Sequence, residues 1–220
     1  MAYAEETQPS FTLGDPAIVC RWRLCQGRLP MENRHLRALS RRRVGGEPVS
    51  RELIAWAKQH IEWTLEDGSA EHPDGVLMLV IDSAGKAAMT VGPYTELPAA
   101  RLADLVGRAT VSSREADETG VGPESLWIAR DGAFYWGIEP GCAPSGAATL
   151  VEDLAKTLGL PVRRVDGLPR KVTSGEVEYD EAFLVSDEHG VVLATDAAGE
   201  QGERFRSGYD KLMESYRRKH

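Results

Sequence analysis

Pro144-Ser145-Gly146-Ala147 is the stretch of this chain best suited to chemistry. A Ser-Gly turn feeding a helix leaves free backbone N–H groups and the positive end of the helix dipole pointing outward, which suits a phosphate or a carboxylate. The same residues serve equally as an ordinary helix start with Ser145 as N-cap, and spacing alone leaves both readings open. Other clusters carry less. Glu115, Asp117 and Glu118 could attract a cation, but their spacing matches no known loop, and they read as a solvated acidic loop. Ser112-Ser113 and the scattered histidines form no nucleophile–base pattern. His35 reads as a packing residue. Trp127 and the aromatic run 134–136 fall in a hairpin and read as core rather than as a ligand stack.

The chain has 220 residues, enough for one large domain or two small ones, with 42% hydrophobic and 27% charged residues. A net charge of −8 disfavours nucleic acid and anionic membranes, which both require a basic footprint. The run Arg41–Arg43 is too short to change this and reads as a solvated helix end. Three cysteines (Cys20, Cys25, Cys142) form no metal-type spacing with the five histidines, so no metal site is expected. An odd cysteine count, a polar acidic start and no long apolar run together point to a cytoplasmic protein without a membrane span.

The elements that would position these groups follow from pattern. AIVCRWRLCQGRL alternates and turns at Gln26-Gly27, so it reads as strand pairing in a small sheet. Pro30 opens a helical segment that Gly45-Gly46 closes, and Ser50 caps a second helix ending at Asp67-Gly68. VLMLVID and AAMTV form a hairpin around Ser83–Lys86. LPAARLADLVGR could make a short helix, whereas SSREADETGVGP reads as loop. Further on, SLWIA and AFYW flank Arg130-Asp131-Gly132, a strong hairpin signal. An amphipathic helix over Pro144–Leu160, short strands at PVRRV, EAFLV and VVLAT, and a helix from Gly202 to His220 complete the chain. The expected organisation is a tail (1–14), a small α+β domain (15–97), a linker (98–123) and a mixed-sheet α/β domain (124–220).

From Glu118 onward the order of elements resembles the class IV aminotransferases, the pyridoxal-phosphate (PLP) family of aminodeoxychorismate lyase, D-amino-acid aminotransferase and the branched-chain aminotransferases. The resemblance is carried by the Arg130-Asp131-Gly132 hairpin, the Pro144 helix start and the YDEAFLV strand. It implies the two-domain α/β fold of that family, a homodimer, and an amino-acid, keto-acid or chorismate-derived substrate. It also implies site roles. Lys86 lies at the upstream distance of the family's Schiff-base lysine, and Glu118 matches the glutamate facing the pyridine nitrogen. The amides of Ser145, Gly146 and Ala147, together with Ser186 and Arg37, would face the cofactor phosphate. Several positions depart from the family pattern. Ala147 and Ala148 replace a Thr-Arg pair, Ala38 replaces a phosphate-gripping arginine, and Asp187 stands where the family has a hydroxyl. A carboxylate beside a phosphate is repulsive. Two functions are therefore expected to compete: a PLP aminotransferase or lyase, and a catalytically inactive, cofactor-free relative that binds small anions or serves assembly.

Overall fold

A computed structural model describes residues 12–98 and 100–217. The N-terminal part is built on a three-stranded antiparallel sheet, in which β1 (Pro16–Arg23) pairs with β4 (Val76–Asp82) and β4 with β5 (Ala87–Gly92). Strict alternation in β1 sends Ile18, Cys20 and Trp22 inward and leaves Val19 and Arg21 exposed, as a half-buried strand requires. Two helices, α1 (Glu32–Leu39) and α2 (Arg51–Gly68), cover the inner face through Leu36, Leu39, Ala57 and Ile61. The expected Ser50 cap is present, its hydroxyl accepting from Leu53 N–H at 3.1 Å. Gly45-Gly46 forms the turn of a minimal hairpin, β2 (Arg43–Val44) with β3 (Glu47–Pro48).

A five-stranded sheet forms the C-terminal part, in the order β10 (Gly190–Leu193), β9 (Glu181–Ser186), β6 (Glu124–Arg130), β7 (Ala133–Gly137), β8 (Val162–Val165). Only the β7–β8 pair is parallel, because α4 (Gly146–Thr157) crosses between them. The β6–β7 turn is the one expected: Asp131 and Gly132 both take positive φ, at 50° and 72°, as a tight two-residue hairpin requires. Both faces of the sheet are buried. Trp127, Phe134, Trp136 and Phe183 point toward α4 and α6 (Glu200–Arg217), with Trp127 and Trp136 stacked at 4.8 Å. Leu126, Ile128 and Leu184 point toward α3 (Leu102–Thr119) and toward α5 (Leu168–Thr173), a short helix that the pattern did not suggest.

Helix α3 corrects the reading of SSREADETGVGP as loop. The helix is continuous across Ser112–Thr119, and its buried stripe is Leu105, Ala109, Ser112, Ala116 and Thr119. That stripe has helical spacing but beyond Leu105 is made of small and polar side chains, so no apolar periodicity marks its second half. Asp104 accepts from Arg101 N–H and Asp196 from Leu102 N–H at the start, and Gly120 closes the end with φ 87°. The small stripe lets α3 approach the sheet closely. The Ser112 hydroxyl donates to Glu124 C=O at 2.7 Å and accepts from Glu124 N–H at 2.9 Å, pinning the start of β6.

Candidate functional site at the mouth of helix α4

Three segments meet at the start of α4: the helix entry itself, helix α1 and the turn between β9 and β10. Ser145 is the N-cap, its buried hydroxyl accepting from Ala148 N–H at 3.2 Å. Gly146 has no alternative, since a Cβ there would stand 2.5 Å from Nδ1 of His35. The next amide, Ala147 N–H, donates to Oδ1 of Asp187 at 2.8 Å. The anion at the positive end of this helix is thus a side chain of the same protein. Asp187 is held there by its backbone, which donates to Pro123 C=O and accepts from Arg23 N–H. The hydroxyl of Ser186 accepts from Glu188 and His189 N–H, and so is spent within the turn.

A buried charged layer surrounds this contact. Asp187 is 4% exposed and His35 1%, with His35 Nδ1 3.7 Å from Asp187 Oδ2, too long for a hydrogen bond, so both ring nitrogens of His35 are buried without a partner. His35 stacks on Trp22 at 5.2 Å. Burial works to raise the Asp187 carboxyl, but His35, the Ala147 amide and Arg42 outweigh it and hold the group below the usual carboxylate range. Arg42 is itself 2% exposed and bonds Glu115 at 2.6 Å and Thr119 at 3.3 Å. Cys20 completes the layer. Burial pushes its thiol up to about 11, against the pull of Arg42, which leaves it protonated and inert at neutral pH.

The structure brings together Ser145, Gly146, Ala147 and Ser186, and it places the other candidates elsewhere. Lys86 is exposed in the β4–β5 turn, where its backbone N–H donates to Asp82. Arg37 is exposed on the outer face of α1, and Glu118 is exposed on the last turn of α3. The inward-facing glutamate of α3 is Glu115, one turn earlier. Arg42, read from sequence as part of a solvated run, is the buried cation of the site. The signal for it was the spacing of His35, Leu39 and Arg42, which continues one buried stripe past the end of α1.

Beside this layer, β1, α3 and the β9–β10 turn enclose a cavity of about 860 Å³ bordered by Val19, Ala100, Gly107, Val111 and Ser186. Its cations are matched, Arg21 with Glu188 at 2.6 and 2.7 Å and Arg108 with Glu124 at 2.6 Å. No lysine borders it. Among the described residues Lys58, Lys86, Lys156 and Lys211 are exposed, and Lys171 is half-buried on α5. No group of His, Cys, Asp or Glu among them is arranged to hold a metal ion, and no helix is long and apolar enough to cross a membrane.

Solved structures of similar fold are described as aminotransferases and lyases. A hypothetical aminotransferase from Mycobacterium tuberculosis, in its PLP-bound form, superposes with a TM-score of 0.61 at 15% identity, over 94% of this chain and 95% of that one. A protein described as a 4-amino-4-deoxychorismate lyase from Legionella pneumophila gives 0.59 at 11% identity, over 94% and 97%. This chain has the class IV aminotransferase fold. One described as a branched-chain amino acid aminotransferase from Thermotoga maritima gives 0.60 at 13%, over 89% and 85%. At the level of sequence no family model and no curated protein matches. The fold expected from the C-terminal elements is therefore present, including its mixed sheet and flanking helices.

Proposed function

We propose that this protein is a cofactor-free relative of the class IV aminotransferases, a cytoplasmic homodimer that works by binding and assembly instead of transamination. In this reading residues 15–97 and 124–220 are its two domains, with α3 between them. The observation that carries the reading is the 2.8 Å bond from Ala147 N–H to Asp187. A phosphate at the start of α4 would have to displace that carboxylate, or lie against it, inside a layer where like charges repel strongly. The side chains that would compensate are missing. Ala38 and Ala148 offer no cation, Ala147 offers no hydroxyl, and Arg42 is committed to Glu115. PLP chemistry also needs a lysine at the cofactor, and none borders the cavity beside the site. The residues present do not fit pyridoxal phosphate.

The rival reading is a PLP enzyme with Lys86 as anchor, and it draws on the PLP-bound relative of the same fold. Titration with PLP separates the two. The cofactor-free reading expects no visible absorbance band beyond that of free PLP and no rise in melting temperature. A new visible band that borohydride removes and that Lys86→Ala abolishes, accompanied by thermal stabilisation, would establish the enzyme instead.

A further inference from the structure

A second cavity, of about 760 Å³, lies between the irregular segment after β5, strand β10 and helix α6. It differs from the first in that its main cation has no anion. Arg23, at the end of β1, makes no ion pair with any described residue, and its Nη1 is buried without a hydrogen-bond partner. Its guanidinium lies flat on the ring of Tyr94, with Cζ 3.3 Å from the ring centroid. Stacking satisfies the face of a guanidinium and leaves its edge, where the N–H groups point, free to bond in the plane. Tyr209, 6% exposed and also bordering the cavity, carries a buried hydroxyl with no partner. That ring is fixed in place, since a Cβ at Gly190 would fall 2.4 Å from it. Of the other charges on its wall, Glu188 pairs with Arg21, Arg206 with Glu203 and Arg217 with Asp74, whereas Glu96 and Asp210 make no ion pair among the described residues.

We propose that this cavity binds a small organic carboxylate, with the edge of Arg23 as its anchor and the Tyr209 hydroxyl as a second donor. A buried donor without an acceptor costs more than a made bond returns, so two such donors beside one cavity mark the place of an acceptor group. A planar carboxylate matches the guanidinium edge with two parallel bonds, which a spherical anion cannot do. Met213, Val191 and Leu97 on the cavity wall leave room for an apolar body behind the carboxylate. The inference is independent of the cofactor-free reading: binding of PLP at α4 would overturn that reading and leave this one standing.

The test is calorimetric titration of the full chain with benzoate, with neutral benzamide and inorganic phosphate as controls. Benzoate is expected to bind saturably and to raise the melting temperature, with benzamide at least about tenfold weaker for want of charge and phosphate at least about tenfold weaker for want of an apolar body to lie against Leu97, Val191 and Met213. Arg23→Lys, which keeps the charge but loses the fork, is expected to weaken benzoate about tenfold, and Tyr209→Phe about fivefold. Circular dichroism and unliganded melting identify any variant that has lost its fold. Arg23→Gln, which removes the charge, is expected to abolish benzoate binding, and Arg23→Lys keeps the test decisive should Arg23→Gln unfold. The proposal is overturned by the absence of saturable benzoate binding, by equal affinity for phosphate, or by folded Arg23 variants that bind as the parent does.

Discussion

The mouth of α4 and the Arg23 cavity are joined through one hydrogen bond, from Arg23 N–H to Asp187 C=O, yet they solve opposite problems. At α4 the helix amide and the buried guanidinium have internal acceptors, and the ring nitrogens of His35 lack a hydrogen-bond partner. Ala147 N–H has Asp187 and Arg42 has Glu115, while the Ser186 hydroxyl accepts from the turn's own amides. At the cavity the donors are left over. A site that closes its own charges is rigid and self-contained, whereas one with surplus donors is poised for a partner. On the proposed reading, the helix mouth is part of the scaffold and anion recognition belongs to the far side of the β9–β10 turn.

Removing Asp187 is the harshest way to break that contrast. In Asp187→Ala, the Ala147 amide loses its acceptor and the buried Arg42 loses a nearby carboxylate. Loss of one partner from a buried charged cluster costs about 3–5 kcal/mol. Chemical denaturation should show a drop of that order with the slope unchanged; a drop under about 1 kcal/mol would mean that the helix mouth is hydrated and open. The pH dependence carries the same information with a definite sign. Asp187 is held below its ordinary value, so its stabilising contribution is complete above about pH 4 and disappears as pH falls through the folded value. Melting curves of the parent and Asp187→Asn should therefore differ most near neutrality and converge in strong acid.

Gly146→Ala tests the packing on which the closed site rests. The added methyl meets His35 Nδ1 in a layer with no slack, and overpacking of this kind costs about 1–3 kcal/mol. His35→Ala makes room for that methyl, so a double-mutant cycle should show that the two changes together cost less than their sum. Additive costs would separate His35 from the helix mouth.

Sequence made the scaffold readable and left the site half hidden, for a physical reason that particular residues display. Strands such as Pro16–Arg23 and Val76–Asp82, the Asp131-Gly132 turn and the Ser50 and Ser145 caps follow local rules of alternation, turn chemistry and capping, which act within a few residues. Helix α3 escaped because its buried face is Ala109, Ser112, Ala116 and Thr119, residues whose small size matters only once a sheet is pressed against them. Arg42 and Glu115 escaped together, since each looks like a surface charge until the fold sets 2.6 Å between them. Asp187 was legible as an anomaly beside a phosphate position. Its partner, the Ala147 amide, was visible only as an atom that the same phosphate would have used.

The smallest expected effect tests whether Lys86 belongs to a functional site at all. Lys86 sits in an exposed turn whose geometry depends on Asp82, which accepts from Gly14, Ala84 and Lys86 backbone amides at 2.8–2.9 Å. The lysine side chain enters none of these bonds, so Lys86→Ala should leave stability within about 0.5 kcal/mol of the parent. It should also leave benzoate binding at Arg23 unchanged, because Arg23 closes β1 at the end opposite the Asp82 pairing. Seven residues of strand separate those ends, about 23 Å at the usual rise. A Lys86→Ala variant that loses several kcal/mol, or loses ligand affinity, would place this lysine inside a functional site and reverse the contrast drawn between the two regions.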